Sequence, residues 1–571
     1  MNCNGTSILF LNKNVRFTEM PDTAFHDLGL DSLCKALTTD AGEQSFIKGV
    51  LTNMTDDPET AEFRRGVFAD ILGLPDFRKK IMELFDKLEF FKSFGTMSKK
   101  TDEKLGIWYL MHRLDEFGDY IKCVESMREL LAEADIKSEG LKAFGKYIDE
   151  LYEDRCFAEM KKDISELKAK TSDIKSVTLG INVNERFDAV SMGLISVNNK
   201  PFKKSNIVSS FAEAVAAKSG IKDGNDWNGD MHYHEVDSRT DGRFAAFFEK
   251  QAGFMAMQKT ALLDSRIRQT IVNMPDELMS SSTFFLEKVL NRMLDSIVKK
   301  LGGTLGKYVD VAVVNISRLI PEFTYYIRFA EFIEKYRAAG FTFNEAKAVN
   351  DGGMRARGFY NLKLAMTVEK PSDIVPNDLD FDEEHTVYIL TGANRGGKTT
   401  VTQAVGLLFV LAQGGIDVPA EEFVCSPADC IFTHFPADED KTIDLGRLGE
   451  ECVRFKELYG SCTESSLLLL NESFSTTSFE EGYYIARDAV RAVLRKRTRT
   501  IFNTHMHKLA ADISALNEGA EGAKASSLVV VSSGGERSFR VAVAEPEGMS
   551  YARDIAEKYG VTFEALTGEA E

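Results

Sequence analysis

A chain of 571 residues, 44% hydrophobic and 28% charged, carries enough apolar material for three or four globular units and is neither fibrous nor disordered in composition. Its formal charge of −18 argues against a general nucleic-acid coat, which needs basic surface, while leaving room for a locally basic DNA-contacting element. No run of about 18 apolar residues occurs, so no membrane span is expected. The Ile8–Leu11 patch lacks the basic lead of a secretion signal, and eight scattered cysteines without a CxxC pair predict a reduced, cytoplasmic protein without structural zinc.

From about Asp31 to Lys170 helix formers dominate, and apolar residues recur at helical spacing, as in Phe63, Val67, Phe68 and Ile71. Such stripes speak for helix–helix packing. At about 174–203 the pattern turns β-branched and partly alternating (Ile174–Val183, Leu194–Val197, with a turn signal at Asn198-Asn199), which predicts a small β-rich unit inserted in a helical region. From Lys170 to Lys204 it has six basic residues against three acidic ones; this fits a solvated hairpin face or a DNA contact. The Gly/Asp/Asn-rich stretch Ser219–Arg243 reads as an exposed loop, and its His232-Tyr-His234 as surface histidines rather than metal ligands. A second stripe, Leu286 to Val298, predicts one long helix with a buried face. Strands and helices alternate from about Phe359 onward.

There the chemistry concentrates. The apolar run Thr386–Leu390 leads into Gly392-Ala393-Asn394-Arg395-Gly396-Gly397-Lys398-Thr399-Thr400, which fits G-x-x-x-x-G-K-[ST]. In such a loop glycines let the backbone close round a phosphate, Lys398 reaches the β- and γ-phosphates, and Thr399 offers a hydroxyl to Mg²⁺. A helix expected over Thr400–Leu411 adds its N-terminal dipole. The fully apolar Leu467–Leu470 predicts a buried parallel strand ending in Asn471-Glu472. A carboxylate in such a place holds Mg²⁺ and the next one polarises water. Glu472 is therefore the expected general base. Asn471 is a neutral partner for the metal or its water, which predicts weaker Mg²⁺ binding and slower turnover. A third apolar strand, Thr500–Phe502, ends in Asn503-Thr504-His505. Taken alone His505 could be structural; after the two preceding motifs it reads as a γ-phosphate sensor.

The order and wording of these segments resemble the DNA mismatch repair MutS family. Thr391–Thr400 is close to that family's TGPNxGGKST, Val418-Pro419-Ala420 and Asp429–Thr433 to its VPA and D-x-IFT segments, Asn471–Ser478 to its DE with a Thr/Ser-rich turn, and Asn503–His505 to its ATH. Ile374–Asp378, Ser550-Tyr551 and Ile555-Ala556 add to the match, which is dense over about 371–560. The resemblance implies an ABC-type ATPase using ATP and Mg²⁺. It would dimerise head to tail, with levers and a clamp that close round duplex DNA. It divides the chain into an N-terminal segment (1–30), a helical core and lever region (31–358) with a β-rich clamp-like insertion at about 172–210, and an α/β ATPase domain (359–571). By position Asn394 would lie near the γ-phosphate. Gly446–Glu450 replaces the SGRST segment that reaches the partner's ATP, and Ile374 stands where many relatives carry a base-stacking aromatic.

Some thirty residues precede the helical region, too few for the family's mismatch-reading and connector domains. Phe17-Thr-Glu19 matches the mismatch-reading Phe-x-Glu in letters, but so do Phe157–Glu159 and Phe285–Glu287. The expectation is thus a DNA-binding ATPase, without direct mismatch reading, that acts on duplex or branched DNA in mismatch repair or recombination. Two alternatives stay open: a slow ATP-driven switch acting on a protein partner, and a nucleotide binder without hydrolysis.

Overall fold

Continuous apolar runs too short for helices become the central strands of the molecule. In the computed structural model, which describes residues 6–11, 14–95, 107–172, 176–183, 185–186, 189–198, 295–308, 316, 318–392, 396–436, 446–520, 522–533, 536–546 and 559–567, six strands form one sheet. They are β1 (Val387–Thr391), β2 (Ile431–His434), β3 (Leu467–Asn471), β4 (Arg499–Asn503), β5 (Ala525–Ser533) and β6 (Glu536–Val543), in the spatial order β2-β3-β4-β1-β5-β6. The first five run parallel and β6 returns antiparallel to β5. Every residue of β1 to β4 is buried, as a parallel sheet covered on both faces requires.

Helix α1 (Lys398–Gln413) follows β1, α2 (Gly446–Ser461) joins β2 to β3, and α3 (Phe479–Lys496) joins β3 to β4. The ends of α3 are written locally. Ser478 accepts from the Glu481 N–H, Glu480 and Glu481 sit in the first turn, Arg495 and Lys496 in the last, and Arg497 stops the helix in the left-handed region. Helix α1 is apolar nearly all round, so both sides must be covered. Strands β3 and β4 cover one side; helices Ala41–Thr52 and Pro58–Gly73 from the other end of the chain cover the other. Arg64, 1% exposed, locks this packing by donating to the carbonyls of Leu9 and Gln413, each at 2.9 Å, the second at the negative end of α1. Phe17 lies edge-on to Phe10 and close to the Arg64 guanidinium.

Residues 1–82, 130–147 and 318–571 form one compact unit, and 83–129 with 148–317 another. Within the first, a four-stranded sheet adjoins the glycine-rich loop region in sequence, in the order Ala346–Ala348, Glu422–Cys425, Met354–Phe359, Asn377–Phe381. Two of these strands precede the point where the sequence pattern marks strand–helix alternation. Their brevity hides them: Met354–Phe359 buries only Met354, Ala356 and Phe359 and carries two arginines between them. In the second unit helices Ile107–Glu133 and Arg155–Ser172 bury Phe117, Tyr120, Val124, Phe157, Met160 and Ile164, Tyr120 lies edge-on to Phe157, and Tyr308 donates to Asp163 at 2.9 Å.

The expected β-rich stretch is an antiparallel hairpin, Ser176–Val183 with Ala189–Asn198, so Leu194–Val197 lies within a strand longer than the sequence pattern marks. Helix Asp295–Gly306 takes in the end of the Leu286–Val298 stripe, whose remainder, like His232 and His234, lies outside the described residues. A mixed helical and α/β architecture with several sheets, as the sequence predicts, is what the chain adopts. Among the described residues no helix is long and apolar enough to cross a membrane.

Candidate nucleotide site

The loop after β1 needs two glycines for geometric reasons. Gly392 has φ 142°, and a Cβ there would come within 2.9 Å of Val530 Cβ on the neighbouring strand. Gly397 caps α1 at φ 89°, in the left-handed region. Ala393, Asn394 and Arg395 lie outside the described residues; Gly396 and Gly397 lead into the helix. The helix begins two residues earlier than its apolar pattern suggests, so Lys398, Thr399 and Thr400 all sit in the first turn, beside N–H groups with no helical acceptor. Lys398 is 5% exposed and donates to the Gly392 carbonyl at 3.0 Å. Burial pulls its ammonium below the usual lysine range, and the Glu472 carboxylate opposes that shift. Asn361 anchors the turn by donating to the Thr400 carbonyl at 2.8 Å.

The parallel register brings β3 and β4 to the same edge, pairing Asn471 with Asn503. The Thr399 hydroxyl donates to Asn471 Oδ1 at 3.0 Å, and the Asn503 amide nitrogen donates to that same oxygen. Beyond Asn471 the backbone is strained: Glu472 has φ 54° and Phe474 φ 63°. Left-handed backbone at non-glycine residues costs about 1–3 kcal/mol each and clusters where function demands it. Glu472 Oε1 stands 2.7 Å from His505 Nε2, both side chains being roughly two-fifths exposed at 38% and 41%. A pair this exposed adds little stability, about 0–1 kcal/mol at most. Its consequence is orientation.

Loop residues Gly396–Val401 and Glu472 line one cavity of about 460 Å³, within the range of small-ligand sites. Phe359, Tyr360, Ile374 and Phe539 add apolar lining, Phe539 lying against Gly397, and Asn361 and Asn377 add polar groups. Phe539 has φ 57° and is 45% exposed. Asn377 holds this strand by donating to the Phe539 carbonyl at 3.3 Å and accepting from the Val541 N–H at 2.8 Å. Position 374 is thus aliphatic, yet the other apolar lining is aromatic.

The model of MutS domain V matches residues 388–566, and that of the MutS2 N-terminal domain residues 56–218. The chain is a divergent member of the MutS family. "DNA mismatch repair protein MutS" of Staphylococcus saprophyticus is 30% identical over 194 residues, covering 34% of this chain and 21% of that protein. The protein so named in Chlorobium chlorochromatii is 36% identical over 137 residues, 24% of this chain and 16% of its own length. That of Shouchella clausii is 25% identical over 429 residues, 69% of this chain and 48% of its own length. The chain therefore spans between a sixth and a half of these curated relatives. The domain V match covers β1 from its second residue, the loop, Asn471, Glu472 and His505, so the loop end of the cavity falls within it.

Other MutS-like segments settle differently. Gly446–Glu450 opens helix α2, with Gly446 and Arg447 exposed. Ser550-Tyr551 and Ile555-Ala556 lie outside the described residues. Asn361 and Phe539 escape sequence reasoning, Asn361 because it reaches the loop through a side-chain hydrogen bond to Thr400 and Phe539 because it lies some 140 residues on and arrives through strand pairing; Asn377 was legible only as part of the Ile374–Asp378 segment. Asn503 was legible only as a letter of a motif.

A buried histidine clamps the turn that carries Glu472. His434, at the end of β2 and 1% exposed, has Nε2 3.1 Å from the Glu451 carbonyl and Nδ1 2.6 Å from Ser473 Oγ. The nitrogen facing the carbonyl carries the proton, so the other is an acceptor, and the Ser473 hydroxyl lies between it and the His434 carbonyl, to which it donates at 3.0 Å. Burial, reinforced by the Arg454 charge, pushes this imidazole down to about 4. A depressed folded value means that the unfolded chain binds the proton first. The stabilisation is complete above the ordinary histidine value near 6.5 and is lost as pH falls through 4, about 3 kcal/mol in all. Urea midpoints measured from pH 7 to 4.5 should fall more steeply for the native protein than for His434→Gln. Parallel profiles would disprove the assignment.

Proposed function

We propose that this chain binds ATP with Mg²⁺ in the cavity at the ends of β1, β3 and β4 and hydrolyses it to ADP and phosphate. One observation carries the reading: Glu472, on a strained turn and held by His505, lines the same cavity as the glycine loop and Lys398. The amides of Gly392–Thr400 and the Lys398 ammonium cradle the phosphates; the aromatic lining of Phe359, Tyr360 and Phe539 receives the base. Glu472, as general base, takes a proton from the water that attacks the γ-phosphorus, and ADP leaves with the bridging oxygen. His505 orients Glu472 and senses the γ-phosphate.

The magnesium site fits the residues present. Thr399 would hold the ion through its hydroxyl and Asn471 would hold it through a bound water; Thr399 Oγ1 and Asn471 Oδ1 stand 3.0 Å apart, joined by a hydrogen bond. Both are neutral, so the phosphates provide most of the attraction. Bound there, the ion neutralises charge on the phosphate oxygens. Purified protein should retain labelled ATP on a filter with magnesium present and release phosphate; failure to retain nucleotide refutes the reading.

The wider function follows from the family. We infer an ABC-type ATPase domain over 359–571, a helical core and lever region over 31–358 after the segment 1–30, and a clamp-like unit at about 172–210. The assembly is a homodimer acting on duplex or branched DNA in the cytoplasm. What supports DNA is the relatives' name, "DNA mismatch repair protein MutS", and the local basic excess around the Ser176–Asn198 hairpin. Asn471 and the overall charge of −18 favour a second reading, a slow switch on a protein partner. Phosphate release with and without duplex or branched DNA at low salt separates them, since electrostatic binding is then strongest. Stimulation supports DNA; indifference, with a protein retained on the immobilised chain, supports the switch.

A further inference from the structure

We propose that Asn503 sets the magnesium dependence of this site, because its side-chain amide occupies the acceptor capacity of Asn471 that a hydrated cation needs. The proposal rests on the reading of the cavity as an ATP–Mg²⁺ site.

Asn503 ends β4 directly opposite Asn471 and is completely buried, at 0% exposure. Its Nδ2 donates to Asn471 Oδ1 and reaches Thr399 Oγ1 at 3.3 Å. Thr399 Oγ1 donates to the same Asn471 oxygen at 3.0 Å. A side-chain carbonyl has two lone pairs, and here two donors take both. An aspartate at 471 would bring a second oxygen and spare acceptor sites; the second terminal atom of Asn471 is a donor instead. A metal-bound water directed at Asn471 must therefore displace the Asn503 amide. Turning over the Asn503 amide alone would press its carbonyl oxygen against that of Asn471.

The other end of the same side chain points to a role beyond packing. Asn503 Oδ1 is buried and has no hydrogen-bond partner among the described residues. An orphaned buried carbonyl is costly. The cost is borne at a residue whose nitrogen reaches both Thr399 and Asn471. Asn503 is thus a positioning residue: with no cation bound, its partial positive charge holds the two oxygens together, and nucleotide is gripped by Lys398 and the loop amides.

The test is a magnesium titration of a fluorescent ATP analogue on the full chain, starting in EDTA. Native protein should bind the analogue in EDTA and tighten only at high magnesium. In Asn503→Ala the magnesium midpoint should fall by roughly fivefold, the equivalent of one hydrogen bond, while binding in EDTA is retained. Asn503→Val, which fills the space without a donor and suits a strand, should show the same fall and serves where the alanine variant does not fold. An unchanged or raised midpoint in the folded variant overturns the proposal. Absence of analogue binding by the native protein at every magnesium concentration overturns the ATP reading instead.

Discussion

Replacing Lys398 by alanine should abolish nucleotide retention while leaving the fold at least as stable as before. The ammonium is 5% exposed and held by the Gly392 carbonyl, beside N–H groups of the first turn of α1. With nucleotide bound as proposed it would turn to the phosphates, where a charge-assisted contact is worth about 2–3 kcal/mol, roughly a hundredfold in affinity. Without nucleotide its burial is a cost, visible in the downward pull on its proton affinity. Removing the charge relieves that cost and offsets the lost packing. Filter binding reads the first effect and thermal melting the second. Retained binding refutes the phosphate role, and a collapse in melting temperature would make Lys398 a structural residue.

The second large effect belongs to Glu472. Glutamine keeps the size and the left-handed backbone of this position, so binding and folding should persist. It cannot take a proton, and general-base assistance is worth about 10²- to 10⁴-fold in rate. Glu472→Gln should therefore hold ATP and release phosphate at a hundredth of the native rate or less. Chromatography of the bound nucleotide distinguishes the cases: ATP in the variant, ADP in the native protein. Equal turnover would move the base elsewhere, with His505, 2.7 Å away, the next group to examine. The pH profile of His434→Gln and the magnesium midpoint of Asn503→Ala test the neighbouring turn and the metal side by readouts that do not depend on turnover.

The clamp around this turn explains why strain is tolerated. Glu472 donates its N–H to the Asn503 carbonyl at 2.8 Å, and Phe474 donates to Glu451 Oε2 at 2.7 Å. His434 holds Ser473 between them. Two left-handed residues are thus over-determined by β4, α2 and β2, and the carboxylate is kept at the cavity while little else around it can relax.

The loop, Asn471, Glu472 and His505 were legible in the sequence because each motif is contiguous and obeys a local rule. Glycine permits left-handed backbone at position 397, four leucines suit a strand buried on both faces, and a strand's end is marked by the first polar residue after it. The parallel sheet and its covering helices follow from the same local patterns. Which strand ends meet was not legible. Asn503 faces Asn471 only through the register of β4 on β3, and Phe539 reaches the cavity only because β6 turns back on β5. The covering of α1 by helices Ala41–Thr52 and Pro58–Gly73 likewise joins segments some 350 residues apart, through Arg64 on the Gln413 carbonyl. Backbone preference and apolar periodicity act between near neighbours in the chain and are written there. Pairing register, burial and shared hydrogen-bond acceptors exist only once distant segments share one core, so the grouping of Thr399, Asn471 and Asn503 was decided at that level.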